Sequence, residues 1–498
     1  MSKIIFIEPK PPNLHIFSKF KSPRLGIFIL GSLMKTRGWE VEVFVEDMGK
    51  IDWEQIGSAD IVGISSITST APRAYKIADR IRDMGITVIM GGPHPTFLTD
   101  EALRHADFVI RGEGEHPLTA FIDAREKGND FSQVPNLSYR KNKKIIHNPI
   151  GNFETNLDKI PFPDFSLFKA KQKITGKGSV LPIQTSRGCP FHCSFCSVTS
   201  MFGKKFRFRS TESIIKELQQ YKNEKHFIFF YDDNFTANPE QTRELLNRMI
   251  RENFKFKWSA QVRVDTAKDE SLVKLMRQAG CRTVFIGFES ANPDSLKEIK
   301  KSQEVTDIVQ AVKIFRRHSI HIHGMFMLGL DNDNWKSIKK TVRFARRSRL
   351  TSAQFLLITP LPGTELYKQV KSANRILFKD WSLYDAHHVV FKPKKLSIFK
   401  LQLAQIYSHK KFYSKIERVR KLIIGNKNGF LINFYANHLN RIWKKKNKTF
   451  LKVLKLLKPN QNADIIIDYR EKIRLNFPPN LLPTPFGRRQ AQKARGIR

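Results

Sequence analysis

The chain has 498 residues, 41% of them hydrophobic and 11% aromatic, and its 87 Lys and Arg outnumber its 46 Asp and Glu for a formal net charge of +41. This composition can fill two or three domain cores and excludes an intrinsically disordered chain. Four cysteines exclude a disulfide scaffold, and we expect a cytoplasmic protein without a secretory leader or a bilayer-spanning segment.

Apolar runs alternate with amphipathic segments in the first part of the chain. Such alternation predicts a parallel sheet covered by helices on both faces, a doubly wound Rossmann-like α/β domain. The predicted strands are Lys3–Ile7, Glu40–Val45, Ile61–Ser65, Thr87–Met90 and Phe108–Arg111, and the predicted helices are Leu25–Arg37 and Ala71–Met84.

Glycine-rich turns follow several of these strands, where doubly wound sheets bind their ligands. Leu25-Gly26, Gly38-Trp39-Glu40-Val41, Gly91-Gly92-Pro93-His94-Pro95 and Arg111-Gly112-Glu113-Gly114-Glu115 together resemble a cobalamin (B12)-binding domain. The resemblance implies cobalamin as a cofactor. However, the chain has no Asp-x-His-x-x-Gly motif, so we expect no histidine on the lower face of cobalt, and we interpret His94 as a turn or phosphate-contacting residue.

A charged and proline-rich stretch separates this domain from the next. Lys141-Asn142-Lys143-Lys144 and Ile160-Pro161-Phe162-Pro163 are typical of a connector. We therefore predict a cobalamin-binding-like domain at 1–140, a linker at 141–179, a second domain at 180–385 and a basic, mainly helical C-terminal region at 386–498.

The second domain begins with a strand, Val180 to Thr185, and a cysteine loop. Cys189, Cys193 and Cys196 have a Cys-x3-Cys-x2-Cys spacing. Three thiolates can hold three corners of a cubane 4Fe-4S cluster and leave the fourth iron open. Zinc is the rival, but closed zinc sites need four ligands in paired knuckles, and the chain has no second pair.

This loop, with the aromatic Phe195 before its third cysteine, resembles the cluster loop of the radical S-adenosylmethionine (radical SAM) superfamily. The resemblance implies that Cys189, Cys193 and Cys196 ligate the cluster and that Phe195 lies beside the adenine of SAM. Reductive cleavage of SAM would give a 5'-deoxyadenosyl radical that abstracts hydrogen from an unactivated carbon.

Six strand–helix repeats, from about Val180 to Tyr367, follow the same order as a radical SAM core. They predict a partial (β/α)6 TIM-type barrel, whose site should lie at the carboxyl ends of the strands. The predicted strand ends carry polar motifs. The resemblance implies contacts to the SAM amino group from Asp232, Asp233 and Asn234, contacts to its ribose and carboxylate from Glu289 and Ser290, and a place near adenine for Gly329. Arg263 suits a carboxylate, Cys281 is expected to be a buried apolar residue, and no catalytic residue is identified.

The C-terminal region concentrates the charge. From Phe391 to Arg498 there are 27 Lys or Arg and four acidic residues, a net charge of +23. Helical spacing of apolar residues, including Phe434, Trp443 and Leu454, fits either a cap on the barrel or a basic amphipathic helix at the inner, anionic face of a membrane. A nucleic-acid partner shares the electrostatics but lacks a base-reading module.

The sequence thus favours a cytoplasmic radical SAM enzyme, either a cobalamin-dependent methyltransferase or, without cobalamin, a cyclase or oxidoreductase. We expect a small-molecule or lipid-like substrate and an electron donor such as flavodoxin or ferredoxin. The contrasting hypothesis is a cluster-containing protein that binds RNA or membrane.

Overall fold

The computed structural model describes residues 1–12, 22–128, 130–176, 179–223, 226–423 and 427–457. Its first sheet has seven strands in the order β2-β1-β3-β4-β5-β6-β7. The strands are β1 (Lys3–Glu8), β2 (Glu40–Val45), β3 (Ile61–Ser65), β4 (Thr87–Gly91), β5 (Phe108–Ile110), β6 (Leu137–Lys141) and β7 (Lys144–His147). The first five are parallel, as predicted, because their continuous apolar runs are buried on both faces.

Helices cover both faces of this sheet. One face packs on α1 and α6, and the other on α2 and α3. The helices of this part are α1 (Leu25–Thr36), α2 (Trp53–Gly57), α3 (Ala71–Asp83), α4 (Pro93–Phe97), α5 (Thr99–Ala102) and α6 (Glu115–Glu126).

An antiparallel hairpin, β6–β7, extends the sheet through residues expected to begin a connector. Asn142 and Lys143 form its two-residue turn with φ of 49° and 63°. Two consecutive positive φ angles match the twist of a tight hairpin. The predicted domain boundary at residue 140 falls inside this hairpin, and only the residues after His147 connect the two sheets.

The second sheet has six parallel strands in the order β15-β14-β13-β12-β11-β8, an open barrel as predicted. Two further short strands, β9 and β10, pair beside it. The strands are β8 (Val180–Ile183), β9 (Ser186–Arg187), β10 (Arg207–Phe208), β11 (Phe227–Phe230), β12 (Lys257–Val262), β13 (Cys281–Glu289), β14 (His321–Leu328) and β15 (Ser352–Leu357).

The outer layer of the barrel is helical. Its helices, counted from the connector, are α7 (Gln172–Thr175), α8 (Val198–Phe202), α9 (Thr211–Gln219), α10 (Pro239–Arg251), α11 (Glu270–Gln278), α12 (Pro293–Glu298), α13 (Val305–Arg317), α14 (Trp335–Arg347) and α15 (Glu365–Ser372). Asn238 caps α10 by accepting the Gln241 amide, and Cys281 is fully buried, as expected.

The described part of the C-terminal region, which ends at residue 457, contains four helices: α16 (Ile398–Phe412), α17 (Lys415–Ile423), α18 (Lys427–Lys446) and α19 (Lys448–Leu456). Trp443 and Leu454 are buried against the rest of the protein, which agrees with the alternative of a cap and is incompatible with membrane insertion of these two residues. Phe434 remains exposed. Lys458 and the residues beyond it lie outside the described residues. Within the described ranges, no helix combines the length and apolar character needed to span a bilayer.

Candidate functional site

The cysteine loop runs from β9 to α8 at the carboxyl end of the barrel. Gly188 starts it with φ of +89°, and a Cβ there would lie 2.8 Å from the Lys205 carbonyl oxygen, so this position favours glycine. The Cys196 amide donates to the Cys193 carbonyl at 3.1 Å. All three thiols are free and half-buried, which leaves them accessible from the barrel mouth.

The thiols lie close enough together to affect one another. Burial raises the pKa of Cys189 and raises that of Cys196 to about 12, with further contributions from Asp233 and neighbouring thiols. Thiols held neutral in this way become ligands when a metal displaces their protons. This convergent donor set fits a cluster that takes three protein ligands.

A site for a single metal ion would need a different arrangement of ligands from these three thiols. Within the described part of the chain, no group of three or more His, Cys, Asp or Glu side chains is placed to hold a single metal ion. His192 is exposed, and its Nε2 lies 3.8 Å from the Glu365 carboxylate rather than completing a set with the thiols.

Two adjacent carboxylates after β11 have different surroundings. Asp232 is buried and accepts hydrogen bonds from the amides and hydroxyls of Thr185 and Ser186, at 2.7 to 3.0 Å. It therefore holds the start of the cysteine loop instead of being available to a cosubstrate. Asp233 accepts no hydrogen bond from any described residue. Solvent reaches it through the open mouth, yet surrounding protein and Asp232 raise its pKa to about 7.

Arg263 also supports the cysteine loop. Its guanidinium lies 3.6 Å from the centre of the Phe191 ring, pairs with Asp265 at 3.1 Å and donates to the Lys301 carbonyl at 3.0 Å. The carboxylate that Arg263 contacts is thus Asp265. Asn234 is buried after β11, where its carbonyl accepts the Ala237 amide.

Glu289, at the end of β13, pairs with a lysine that the sequence analysis did not identify. Lys301 Nζ donates to Glu289 Oε1 at 2.8 Å, and both side chains are buried. Burial disfavours the ammonium, but Glu289 and Cys193 raise its pKa above the ordinary value. Gly287 makes room, since a Cβ there would lie 2.4 Å from Glu289 Oε1. A buried cation therefore lies beside the cysteine loop.

Three further predicted site residues have mainly packing or capping partners. Ser290 Oγ accepts the Asn292 amide at 3.1 Å. Gly329 has φ of +97° and donates its amide to Asp333, and a Cβ would lie 2.7 Å from Leu401 of α16. Phe195 packs against an apolar cluster that includes Ile299 and Leu330, which fixes the loop to the barrel.

A buried ion-pair network joins the loop to the first domain. Arg187 contacts Glu115 at 2.6 Å, and Arg207 contacts Glu113 at 2.6 Å. Burial acts to raise the pKa of the half-buried Glu115, but Arg187 outweighs this effect and lowers it. The Arg111–Glu115 turn, predicted to face a ligand, therefore uses both of its glutamates to dock on β9 and β10.

The first sheet has its crevice where the strand order reverses, between β1 and β3. There the Arg24 amide donates to Glu8 at 2.8 Å, and Ser66 Oγ is buried without a hydrogen-bond partner among the described residues. The carboxyl ends of the two sheets face each other, since Phe97 after β4 lies against Gly363 after β15. The Ser66 hydroxyl therefore fits a polar cofactor bound between them.

His94 contacts this crevice only through its backbone amide, which donates to the Ser66 carbonyl at 3.2 Å. Its fully buried ring hydrogen-bonds the Tyr75 hydroxyl at 2.9 Å and packs against Trp381 from beyond the barrel. Such burial leaves no surface for a phosphate, so His94 instead helps to pack the two domains together.

Known proteins share both halves of this architecture. Residues 183–345 match the model of the radical SAM superfamily, and residues 17–122 match that of the B12 binding domain. An uncharacterized methyltransferase of Pyrococcus horikoshii is 32% identical over 436 residues, 84% of this chain and 94% of the relative. The chain belongs to the radical SAM superfamily, in its B12-binding branch.

Two other comparisons agree with this assignment. Bacteriochlorophyllide d C-12(1)-methyltransferase of Chlorobaculum tepidum is 30% identical over 447 residues, covering 88% of this chain and 93% of the relative. The fold matches the cobalamin-dependent S-adenosylmethionine radical enzyme OxsB with a TM-score of 0.69 at 15% identity, over 92% of this chain and 77% of that one.

Family membership makes the protein an enzyme whose cofactors are a 4Fe-4S cluster, S-adenosylmethionine and cobalamin. The predicted family, fold class and cofactors are confirmed. The residues assigned to each cofactor remain predictions.

Proposed function

We propose that this protein is a cobalamin-dependent radical SAM methyltransferase in which Cys189, Cys193 and Cys196 hold the 4Fe-4S cluster. One observation carries the proposal: Arg187, directly before the cysteine loop, pairs with Glu115 at 2.6 Å, which holds the loop against the B12 binding domain. When bound, the cluster and SAM supply a carbon-centred radical, and cobalamin supplies a methyl group. The P. horikoshii and C. tepidum relatives, both described as methyltransferases, support methyl transfer.

The other predicted site residues around the thiols have two roles, binding of SAM and positioning of the cysteine loop. We assign contact with the SAM amino group to Asp233, because its carboxylate has no hydrogen-bond partner among the described residues and its charge acts on Cys189 and Cys196. Asp232 and Arg263 position the cysteine loop. We retain the prediction that SAM is surrounded by Asn234, Glu289, Ser290, Gly329 and Phe195, and Lys301 holds the Glu289 carboxylate.

The barrel interior supports an apolar substrate. Outward-facing strand residues are fully buried under helices, whereas the alternating inward residues are half-buried. The half-buried inward residues include the apolar Phe229, Phe285, Met325, Met327 and Leu356, together with polar residues such as Gln261 and Gln354. Phe229 and Phe285 meet edge to face with ring centres 5.7 Å apart. Such walls suit a largely apolar molecule, and the name of the C. tepidum relative, a bacteriochlorophyllide d methyltransferase, supports a substrate of that kind.

The reducing electron needs a second partner. We propose an acidic carrier of the flavodoxin or ferredoxin type, because exposed Lys204 and Lys205 lie next to Gly188 at the start of the cysteine loop. Opposite charge speeds such encounters.

Anaerobic reconstitution tests the cluster assignment. The wild type should bind about four irons, as one cluster requires, and should cleave SAM to 5'-deoxyadenosine with dithionite. Cys193→Ala should lose both properties. Cys281→Ala, which also removes one thiol but from the buried core, should keep them. Retention of the cluster by Cys193→Ala would disprove the assignment.

Isotope transfer tests the methyl-transfer step separately. Protein loaded with cobalamin and given SAM with a labelled methyl group should accumulate label on the corrinoid, and a candidate apolar substrate should then receive it. SAM cleavage without any labelled corrinoid would leave the enzyme in the superfamily but contradict methyl transfer.

A further inference from the structure

An exposed apolar surface covers adjacent parts of α17 and α18. Ile423 is 78% exposed and Ile416 74%, and the set continues across both helices. We call it the α17–α18 face: Ile416, Val419, Leu422, Ile423, Leu431 and Phe434. The two helices pack together, and the Arg418 guanidinium lies 5.1 Å from the Phe434 ring centre. Single exposed apolar residues are ordinary on proteins, but a contiguous group rimmed by charge marks an interaction site.

The opposite sides of the same helices are fixed to the barrel. Glu417 pairs with Arg346 at 2.9 Å, and Lys421 donates to the Thr351 carbonyl at 3.0 Å. On α18, Ala436 and Leu439 are buried. Because these contacts set the rotation of each helix, the α17–α18 face points away from the domain core.

The charged residues around the α17–α18 face are almost all positive. Residues 415–457 contain a single acidic residue, Glu417, which is already paired with Arg346 and Arg420. The same stretch contains twelve basic residues: Lys415, Arg418, Arg420, Lys421, Lys427, Arg441, Lys444, Lys445, Lys446, Lys448, Lys452 and Lys455. Arg441 and Lys445 are exposed on the same side of α18 as Leu431 and Phe434, following them at helical spacing. An occupant of this face must therefore be both apolar and anionic.

The position of the α17–α18 face excludes the acidic electron carrier as its occupant. The Lys421 ammonium donates to the Thr351 carbonyl, and the Tyr413 hydroxyl hydrogen-bonds the backbone of Ala353. Both contacts lie at the amino end of β15. The cysteine loop lies at the carboxyl ends of the strands. An electron carrier bound at the α17–α18 face would be separated from the cluster by the length of the barrel.

We propose that the α17–α18 face docks the enzyme on an anionic lipid bilayer, with its apolar residues in the interface and the surrounding lysines and arginines on the headgroups. Interfacial helices combine these two features, and acidic lipids attract basic residues near the surface. Docking through this face leaves the barrel mouth free. The proposal does not depend on methyl transfer, and its test needs neither cluster nor SAM.

Vesicle sedimentation of the full-length protein tests it. Vesicles of phosphatidylcholine with phosphatidylglycerol should bind the wild type at least tenfold more tightly than phosphatidylcholine alone. Salt should weaken this binding through screening without abolishing it. Ile423→Ser with Phe434→Ser should reduce binding at least tenfold. The matched control is Val309→Ser with Ile150→Ser, which removes two apolar residues that are 52% and 60% exposed elsewhere, and it should bind like the wild type. Circular dichroism should show both double variants folded.

Three outcomes would overturn the proposal. Equal binding by the two double variants would show that the face does not contact lipid. Protection of Ile423 and Phe434 from hydroxyl-radical labelling without vesicles would show that a second copy or another part of the chain covers the face. Tighter binding to RNA than to the anionic vesicles at physiological salt would show that the basic residues bind nucleic acid instead of lipid.

Discussion

Arg187 and Glu115 lie 2.6 Å apart and belong to different domains, 72 residues apart in sequence. Arg187 is in the strand β9 that leads into the cysteine loop, and Glu115 begins α6 after the last parallel strand of the first sheet. Arg187 is buried and Glu115 is half-buried. This contact couples the geometry of the cysteine loop to the docking of the B12 binding domain.

Glu115→Gln should therefore be strongly destabilising, because it leaves the Arg187 charge buried with a poorer partner. Breaking one side of a buried pair costs about 3–5 kcal/mol. Urea unfolding gives the shift in midpoint. The control is Glu270→Gln, which breaks an exposed pair with Arg317 at 2.8 Å and should cost about 0–1 kcal/mol. Equal midpoints for the two variants would show that the interdomain pair contributes nothing specific.

Lys301→Met should make the cluster harder to reduce, because it removes a positive charge beside Cys193. Net charge near the sulfurs is one of the factors that set the potential of such clusters. An anaerobic redox titration followed by electron paramagnetic resonance measures the change. The matched control is the neighbouring Lys300→Met, since Lys300 is exposed and pairs with Glu365 at 2.9 Å. A potential unchanged in Lys301→Met, or shifted equally in both variants, would contradict a role for the buried ammonium.

The parallel strands of both sheets and the two fold classes could be predicted because the signals for them are local in sequence. Each parallel strand is a continuous apolar run between helices, and the three cysteines lie within eight residues. The β6–β7 hairpin was missed for a local reason too: Lys141, Lys143 and Lys144 resemble a polar connector, and only the positive φ angles of Asn142 and Lys143 reveal the turn.

The remaining features depend on contacts between distant residues. Lys301 lies after α12, with nothing near it in sequence to indicate Glu289 as a partner, and Arg207 meets Glu113 across 94 positions. The carboxylates of Asp232 and Asp233 are adjacent and chemically identical. Only the fold shows that one is bound by Thr185 and Ser186 while the other faces the mouth.

Cobalamin should bind without a protein histidine on cobalt. His94 is buried against Tyr75 and Trp381, and His105 pairs with Asp79 at 2.8 Å and stacks on Tyr75. Electron paramagnetic resonance of the Co(II) state should lack splitting from an imidazole nitrogen. His116 is exposed at the start of α6, so His116→Ala is the informative variant. A nitrogen splitting in the wild type that disappears in His116→Ala would contradict this coordination.

The attachment of the C-terminal helices should weaken as pH rises above neutrality. His388 Nδ1 pairs with Asp385 at 2.9 Å, and its Nε2 contacts Asn447 of the α18–α19 junction at 2.9 Å. Burial alone would lower the pKa of His388, but Asp385 and Asn447 outweigh it and hold this pKa above the usual 6.5. A raised histidine pKa stabilises the folded state fully below 6.5, and this stabilisation is lost as pH rises through the folded-state value.

Asp385, the carboxylate partner of His388, determines how the attachment of the C-terminal helices responds to acid. His388 holds the pKa of Asp385 below 3.8 although burial opposes the charge, so its contribution is present above 3.8 and is lost as pH falls through the lower folded-state value. Proteolysis of the α18–α19 segment should be slowest between about pH 4 and 6.5, the interval between the reference pKa values of the two groups, and should accelerate toward pH 8. His388→Gln keeps a hydrogen-bonding side chain without the titrating charge and should remove the acceleration relative to its own rate at pH 6. An equal pH dependence in the wild type and His388→Gln would show that the ion pair does not control the attachment.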